Sequence, residues 1–365
     1  MQKNHIGKLA PNHVRQAIQK VAVGPDRGRD LTRDEARAVM QSVLSGEVDE
    51  VQTAVFLIAL RMKRESIDEF VGIFDALQSS IETVIAPVPN LICLADPFDG
   101  YLRHVSMTPF VPSVLAACGI SSVLHGVVTV GPKYGVTAQQ VYQRAGILVN
   151  QSSQEVATSL SELGWGYLDQ AQYAPALSAL IDLRDRMVKR TALTTLERLL
   201  MPIKGTQSTH MALGYVHKAY PSIYAGIAQH AGYDSILLTK GVEGGLAPAL
   251  NKPIRRFFCS NDISKNTDDC KEVLENEMFD SAKYAALRTQ DCDVDPVQNC
   301  LDTGLAVLSG EPGVARNSLC LAAGQILMTY DPSFTLIKAV EKVGLCLDNG
   351  AALEVFDKKR SAVNK

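Results

Sequence analysis

Leu91-Ile92-Cys93-Leu94-Ala95-Asp96-Pro97-Phe98-Asp99-Gly100 opens as an uninterrupted apolar run and stops at an acidic turn containing proline. A short apolar run bounded by turn residues reads as a buried strand. After Thr108-Pro109 the pattern becomes helical as far as Cys118, and Gly119 ends it. Ser122-Val123-Leu124-His125-Gly126 then repeats the theme, a strand running into a glycine. A strand, helix and strand of these lengths imply parallel strands joined by a right-handed crossover. In such sheets ligands sit beyond the carboxyl ends of the strands. Both turns are therefore expected to face one crevice, which extends to about Gly135.

Upstream the pattern is helical. Residues 7 to 30 mix glycine, proline and charge, and Gly24-Pro25-Asp26-Arg27-Gly28 reads as a loop before the first secure helix. The first helix opens at Thr32, with Glu35 placed to complete a capping box, and Ala36, Val39, Met40 and Val43 form its apolar face. Val48 to Met62 is apolar nearly all round, which predicts burial between helices. Ser66-Ile67-Asp68-Glu69 opens a third helix, running to about Leu77. Connections of a few residues make these antiparallel neighbours. Ile85-Ala86-Pro87-Val88-Pro89-Asn90 is an extended link, after which helical period gives way to β runs.

Downstream, helices are expected at Thr137 to Ala145, from Ser153, and across Pro175 to Met201. Strands are expected at Ile147 to Val149, Tyr233 to Thr239 and Ile254 to Phe258. Asn261 to Asp302 is acidic and irregular, and two helices, near Ala315 to Thr329 and Ser333 to Leu347, close the chain.

Composition bounds the rest. With 365 residues, 46% hydrophobic and 21% charged, the chain can bury a substantial core. A formal charge of -3 argues against a uniformly basic nucleic-acid binder. No apolar stretch is long enough for a membrane span, and no signal-peptide core follows the start, so a cytoplasmic protein is expected. The eight cysteines form no C-x-x-C pair, and reduced, mostly buried thiols are expected.

Several segments together carry a resemblance. Leu44-Ser45-Gly46-Glu47 and Val55 to Ser66 resemble the N-terminal helical domain of the anthranilate phosphoribosyltransferase family. His125-Gly126 with Lys133 and Gly135 resembles the family's Lys-His-Gly-Asn-Arg loop and the Ser-Lys-Ser-Gly after it. Arg190-Thr191 with Leu199-Leu200-Met201-Pro202, and Val307-Leu308-Ser309-Gly310-Glu311, resemble its later motifs. The resemblance implies an α/β protein of nucleoside phosphorylase/phosphoribosyltransferase type. Its small helical domain would be 1–84, with helices of about 175–201 packing on it, and its larger domain 85–365, with a mostly parallel central sheet. It further implies a homodimer through the helical domain and an active site in the hinged cleft.

Carried over position by position, the family's phosphate and donor residues fall on Asp99, Gly100, Thr108, His125, Gly126 and Lys133. The arginine for the acceptor's carboxylate falls on Arg184, and one metal-binding carboxylate falls on Glu243, which makes Mg a candidate cofactor. The remaining positions depart from the pattern. The family's Gly-Thr-Gly-Gly-Asp-Gly cradle is Ala95-Asp96-Pro97-Phe98-Asp99-Gly100 here. Pro97 has no N–H to offer, Phe98 fills space a phosphate would need, and Asp96 adds negative charge. Asn-x-Ser-Thr becomes Val105-Ser106-Met107-Thr108. Leu124, Val127 and Val128 replace Lys, Asn and Arg, and the Asp-Glu metal pair becomes Glu243-Gly244. Each charged hydrogen bond lost is worth roughly 1.5–3 kcal/mol, so ordinary diphosphate binding would be weakened by orders of magnitude.

Three functions follow as expectations: a divergent pentosyl or phosphoribosyl transferase that does not use anthranilate, a non-catalytic homodimer that binds single-stranded nucleic acid, or a sensor of an anionic metabolite. For the second, Arg184, Arg186, Lys189, Arg190, Arg198 and Lys204 would contact phosphates. Asp182, Asp185 and Glu197 are interleaved with them, so a salt-bridged helix face competes with that reading. His104 and His125 are acid–base candidates, although strand-end histidines more often serve as hydrogen-bonding structure. Asp291-Cys292-Asp293-Val294-Asp295 has the opening rhythm of a calcium loop, with Pro296 where glycine is required.

Overall fold

The computed structural model describes residues 11–24, 27–251, 253–260 and 295–361, and the backbone of 271–275. The chain divides into two compact units: 1–82 with 130–132 and 174–200, and 83–129 with 133–173 and 201–365.

The smaller unit is helical. Its first four helices are α1 (Asn12–Val21), α2 (Arg33–Leu44), α3 (Glu50–Lys63) and α4 (Ile67–Ser79). Thr32 with Glu35 and Ser66 with Glu69 form complete capping boxes, which fix where α2 and α4 start. Glu69 is fully buried and also accepts from the backbone N–H of Leu31 at 2.9 Å and from Lys63 Nζ at 2.9 Å, which ties three segments to one carboxylate. Helices α2 and α4 cross at Gly72, where a Cβ would lie 2.2 Å from the Arg33 carbonyl oxygen. Helix α3 buries Phe56, Leu57 and Leu60. Against the sequence expectation it is not enclosed all round: Val51, Val55 and Met62 are 73%, 42% and 76% exposed.

The larger unit is built on a sheet. Its strands are β1 (Val84–Ile85), β2 (Asn90–Ala95), β3 (Ser122–Gly126), β4 (Trp165–Asp169), β5 (Ile203–Lys204), β6 (Ser208–Tyr215), β7 (Ser235–Lys240), β8 (Ile254–Ser260) and β9 (Lys271–Glu275). Strands β1 and β5 pair separately. The described main sheet runs β4-β3-β2-β6-β7-β8-β9, parallel from β4 to β7 and antiparallel at β8 and β9. Leu91 to Ala95 and all of β3 are buried, the continuous apolar reading that a covered parallel strand requires. The chain adds strands outward from β2 to β4 on one side and from β6 to β7 on the other, so the order reverses between β2 and β6. That is the topological switch point, where open α/β sheets hold ligands.

Helices α5 (Val111–Ala117), α6 (Ala138–Arg144) and α7 (Ser153–Leu163) belong to the connections from β2 to β4. The core beneath them holds Phe110, Tyr142, Trp165, Tyr167 and Phe356. Trp165 stacks on Phe356 with ring centroids 5.9 Å apart and planes 9° from parallel. Lys359 Nζ lies 5.9 Å from the Trp165 ring, and burial pushes its pKa down to about 8.

Several elements differ from the sequence expectation. Helix α1 lies in the mixed stretch ahead of the first helix that the sequence predicts. It follows Pro11 without a side-chain cap, yet Val14, Ala17 and Val21 supply a buried face. Ile147 and Val149 are buried but belong to no strand. Residues 175–199 form short pieces, Pro175–Ser178, Ile181–Met187, Ala192–Leu196 and a 3-10 turn at Glu197–Leu199, instead of long helix. Pro296–Leu308 is a helix within the segment read as irregular. Cys93, Cys118, Cys300, Cys320 and Cys346 are free thiols, whereas Cys259 is disulfide-bonded, which corrects the expectation of reduced thiols at that position.

Candidate functional site

The loops after β2 and β7 meet at the switch point. Asp96, directly after β2, is buried, and its carboxylate is consumed locally. Oδ1 accepts from the Tyr101 hydroxyl at 2.9 Å and the Thr108 hydroxyl at 3.0 Å, and Oδ2 accepts from Ser106 Oγ at 3.3 Å. Burial first, and the Asp96 charge second, push the Tyr101 phenol well above its ordinary pKa, so it stays a neutral donor. Thr108, a donor-site candidate, is thus bound to Asp96 and fully buried.

Asp99 and Gly100 turn the chain toward residues 133–136. Gly100 has φ +73°, and a Cβ there would lie 2.3 Å from the Gly135 carbonyl oxygen. A Cβ on Gly135 would lie 2.5 Å from the Tyr101 nitrogen. Both positions require glycine, because backbone meets backbone. The Gly135 N–H donates to Asp99 O, while Tyr101 and Val136 exchange both backbone bonds, each at 2.9 Å. This pairing delivers Lys133 to the turn. Its Nζ lies 3.4 Å from Asp99 Oδ1 and 3.5 Å from Glu243 Oε2.

Glu243 follows β7 in a left-handed backbone conformation, φ +51°, which is strained for a residue with a side chain. Its Oε1 accepts from the Arg103 N–H at 3.0 Å and meets His104 Nδ1 at 3.0 Å, and its Oε2 accepts from the Leu102 N–H at 3.3 Å. Burial alone would raise its pKa. The bonds from His104, Arg103 and Leu102, with the Lys133 charge, outweigh burial and hold it below the ordinary carboxylate value. The glycines beside it are spent on packing. The Gly245 carbonyl oxygen lies 1.8 Å and 1.6 Å from where Cβ atoms of Gly214 and Gly241 would be, and a Cβ on Gly245 would meet Tyr101 Oη at 1.5 Å. This turn is filled by its own backbone.

At the end of β3, His125 is buried, with Nδ1 2.9 Å from the Tyr173 hydroxyl. Phe98 packs edge-on against its ring at 5.7 Å. A Cβ on Gly126 would lie 3.1 Å from Tyr167 Oη.

The structure therefore brings Asp99, Lys133, His104 and Glu243 together, and sets Thr108 and His125 in supporting bonds. The other candidates lie elsewhere. Arg184 is buried, and its Nη1 and Nη2 donate to Glu197 Oε2 and Oε1, both at 2.7 Å, so its fork is already filled by a carboxylate. Arg198 is buried as well, and Arg186 is paired with Glu50 and Asp182. Lys189, Arg190 and Lys204 are exposed, Lys204 on β5 of the larger unit. Of the acidic loop, residues 291–294 lie outside the described residues. Asp295 caps the helix Pro296–Leu308 through the Val297 N–H and pairs with Arg144.

Two family descriptions match this chain: "Glycosyl transferase family, helical bundle domain" over residues 15–81 and "Glycosyl transferase family, a/b domain" over residues 104–353. The chain belongs to this glycosyl transferase family. It is 26% identical over 331 residues to the anthranilate phosphoribosyltransferase of Chromobacterium violaceum, covering 89% of this chain and 92% of that protein. The anthranilate phosphoribosyltransferase of Thermus thermophilus shares the fold, with a TM-score of 0.72 at 17% identity over 97% of this chain and all of that one. That of Saccharomyces cerevisiae, in complex with phosphoribosyl pyrophosphate and Mg, gives a TM-score of 0.75 at 14% identity, covering 96% and 98%.

The glycosyl transferase fold brings magnesium into question. Here both Glu243 oxygens already receive donors, and the cation between Glu243 and Asp99 is Lys133. Among the described residues no group of three or more His, Cys, Asp or Glu side chains is arranged to hold a metal ion. Mg²⁺ demands near-octahedral oxygen ligands at about 2.0–2.1 Å. One or two carboxylates with a ligand's phosphate can supply such oxygens, but the two here have Lys133 between them and do not fit the ion in that arrangement.

Tyr101, Tyr173 and the backbone N–H groups of Leu102 and Arg103 were not among the sequence candidates. Tyr101 had a signal in its place directly after the Asp99-Gly100 turn. The Arg103 bond to Glu243 spans 140 residues and had none.

Proposed function

We propose that the protein is a divergent pentosyl transferase that takes a phosphorylated pentose at the switch-point crevice and an acceptor other than anthranilate. What supports this reading is the convergence of Asp99, Lys133, His104 and Glu243 from loops on both sides of the switch point. As an anionic leaving group departs from the anomeric carbon, positive charge grows on the sugar and negative charge on the departing group. The two buried carboxylates stabilise the first and Lys133 the second, while His104 fixes Glu243. The filled fork of Arg184 argues against an aryl carboxylate as acceptor partner at that position.

Calorimetric titration with phosphoribosyl pyrophosphate and with ribose 5-phosphate, followed by transfer assays over an acceptor panel that includes anthranilate, tests the reading. Binding that is lost in Lys133→Gln, with no turnover of anthranilate, is expected. Turnover of anthranilate overturns the acceptor assignment. Salt-dependent binding of single-stranded DNA or RNA, with no heat from either pentose, replaces the enzyme by a nucleic-acid binder and moves attention to Lys189, Arg190 and Lys204.

The same proposal includes a homodimer through the helical unit. Val51, Val55 and Val188 are exposed, and a cavity of about 460 Å³ lined by Val51, Val55, Ile58, Leu183 and Met187 lies on that unit. A second copy would cover this apolar surface. Sedimentation equilibrium of the native chain and of Val55→Glu checks it, with a dimer expected for the first and a monomer for the second. Among the described residues no helix is long and apolar enough to cross a membrane.

A further inference from the structure

Two buried carboxylates, Asp99 and Glu243, approach one point from loops on opposite sides of the switch point, and a single ammonium group stands between them. Their side chains are 4% and 3% exposed, and that of Lys133 is 18% exposed. Charges so enclosed need a compensating cation, and a divalent ion bridging two carboxylates is one general solution. This chain has another. The Gly100 and Gly135 backbone approach, which no other residue permits, carries Lys133 to the place between them, and the strained backbone at Glu243 aims the second carboxylate there. The remaining valences of Glu243 are closed by Leu102, Arg103 and His104.

We propose that Lys133 is the resident cation of the crevice, taking the position of a divalent metal, so that the site holds its phosphorylated ligand without Mg²⁺. The selectivity for a ligand phosphate then resides in a fixed single charge from the protein. Such a site favours a sugar monophosphate over a diphosphate, whose extra charge a metal would otherwise neutralise. This second step rests on the proposed transferase reading, whereas the metal step does not.

The two are tested separately. Manganese alone is titrated into the wild-type protein, and free Mn²⁺ is followed by electron paramagnetic resonance. No stoichiometric site is expected. Lys133→Met, which keeps the aliphatic stem and removes the charge, should leave the carboxylate pair uncompensated and create a stoichiometric Mn²⁺ site that the wild type lacks. The further change Asp99→Asn should abolish the new site. Lys133→Gln repeats the experiment should the methionine variant not fold. A stoichiometric Mn²⁺ site in the wild type, or none in either charge-free variant, overturns the metal step. Calorimetry with ribose 5-phosphate and phosphoribosyl pyrophosphate, each with and without Mg²⁺, reads the ligand step. Mg²⁺-independent heat with tighter monophosphate binding is expected. Binding that requires Mg²⁺ overturns the proposal. Absence of heat from both pentoses removes the transferase reading and its ligand step, leaving the manganese result standing by itself.

Discussion

The two units each hold a network of paired charges, of opposite construction. In the helical unit Arg184 and Glu197 meet fork to fork at 2.7 Å, 4% and 0% exposed. In the α/β unit Lys133 is shared between Asp99 and Glu243 at 3.4 and 3.5 Å. The first is matched fork to fork, with both terminal nitrogens of Arg184 donating to both oxygens of Glu197. The second is looser in its charge pairing, with one cation 3.4 and 3.5 Å from two anions and a backbone held in a strained conformation to aim one of them. Backbone strain of this kind clusters at active sites and ligand clamps. The difference separates an arginine that supports the fold from a lysine that offers a charge.

The largest effect expected from that comparison comes from breaking the fork-to-fork pair. Glu197→Ala leaves a buried guanidinium uncompensated and should cost about 3–5 kcal/mol in urea unfolding. The double change Arg184→Met with Glu197→Leu should recover most of it. A loss below about 1 kcal/mol for the single variant would put the two networks in one class.

Next, Gly100→Ala forces a side chain into φ +73° and against the Gly135 carbonyl. It should cost about 1–3 kcal/mol and should release Lys133 from Asp99, so that ribose 5-phosphate binding falls by more than stability does. Equal losses would make the loop mere scaffold.

Smaller again is Glu243→Gln, at about 1–2 kcal/mol near neutral pH. The sign of its pH dependence is fixed. Glu243 titrates below its ordinary value of 4.5 in the folded chain, so its contribution is complete above that value and is lost as pH falls through the lowered one. The gap between wild type and Glu243→Gln should therefore close on acidification, read as converging urea midpoints. A gap that widens would contradict the assignment. Smallest is Arg186→Ala, which removes a 53% exposed partner of Glu50 and Asp182 and should leave the urea midpoint unchanged.

Much of this architecture was legible in the chain. Strands β2 and β3 announce themselves because apolar runs ending at turns have few alternatives, and Thr32 and Ser66 mark helix starts through a rule that is local in sequence. Strand β6 was missed although it sits at the centre of the sheet. Its first residues, Ser208-Thr209-His210, are polar because their side chains bond Asn90, the Gly205 N–H and Ser235 at the amino end, and that pairing exists only after folding. Ile147 and Val149 mislead for the converse reason: burial alone gives a strand-like pattern.

At the site, Asp99, Lys133 and Glu243 were legible by resemblance. What they do to one another was not, since it depends on glycine contacts between 100 and 135 and on backbone donors far from Glu243 in sequence. Glu197 was visible among the basic residues, but nothing in that spacing says that it fills the fork of Arg184.

The stacking of Trp165 on Phe356 has a practical side. The chain contains one tryptophan, and it lies in the larger unit, stacked on Phe356 with the Lys359 amine 5.9 Å from its ring. Indole emission therefore sees only the sheet-containing half, while far-ultraviolet dichroism sees both. Overlaying the two signals during denaturation turns a single indole into a clock that tells whether the halves come apart together or in turn.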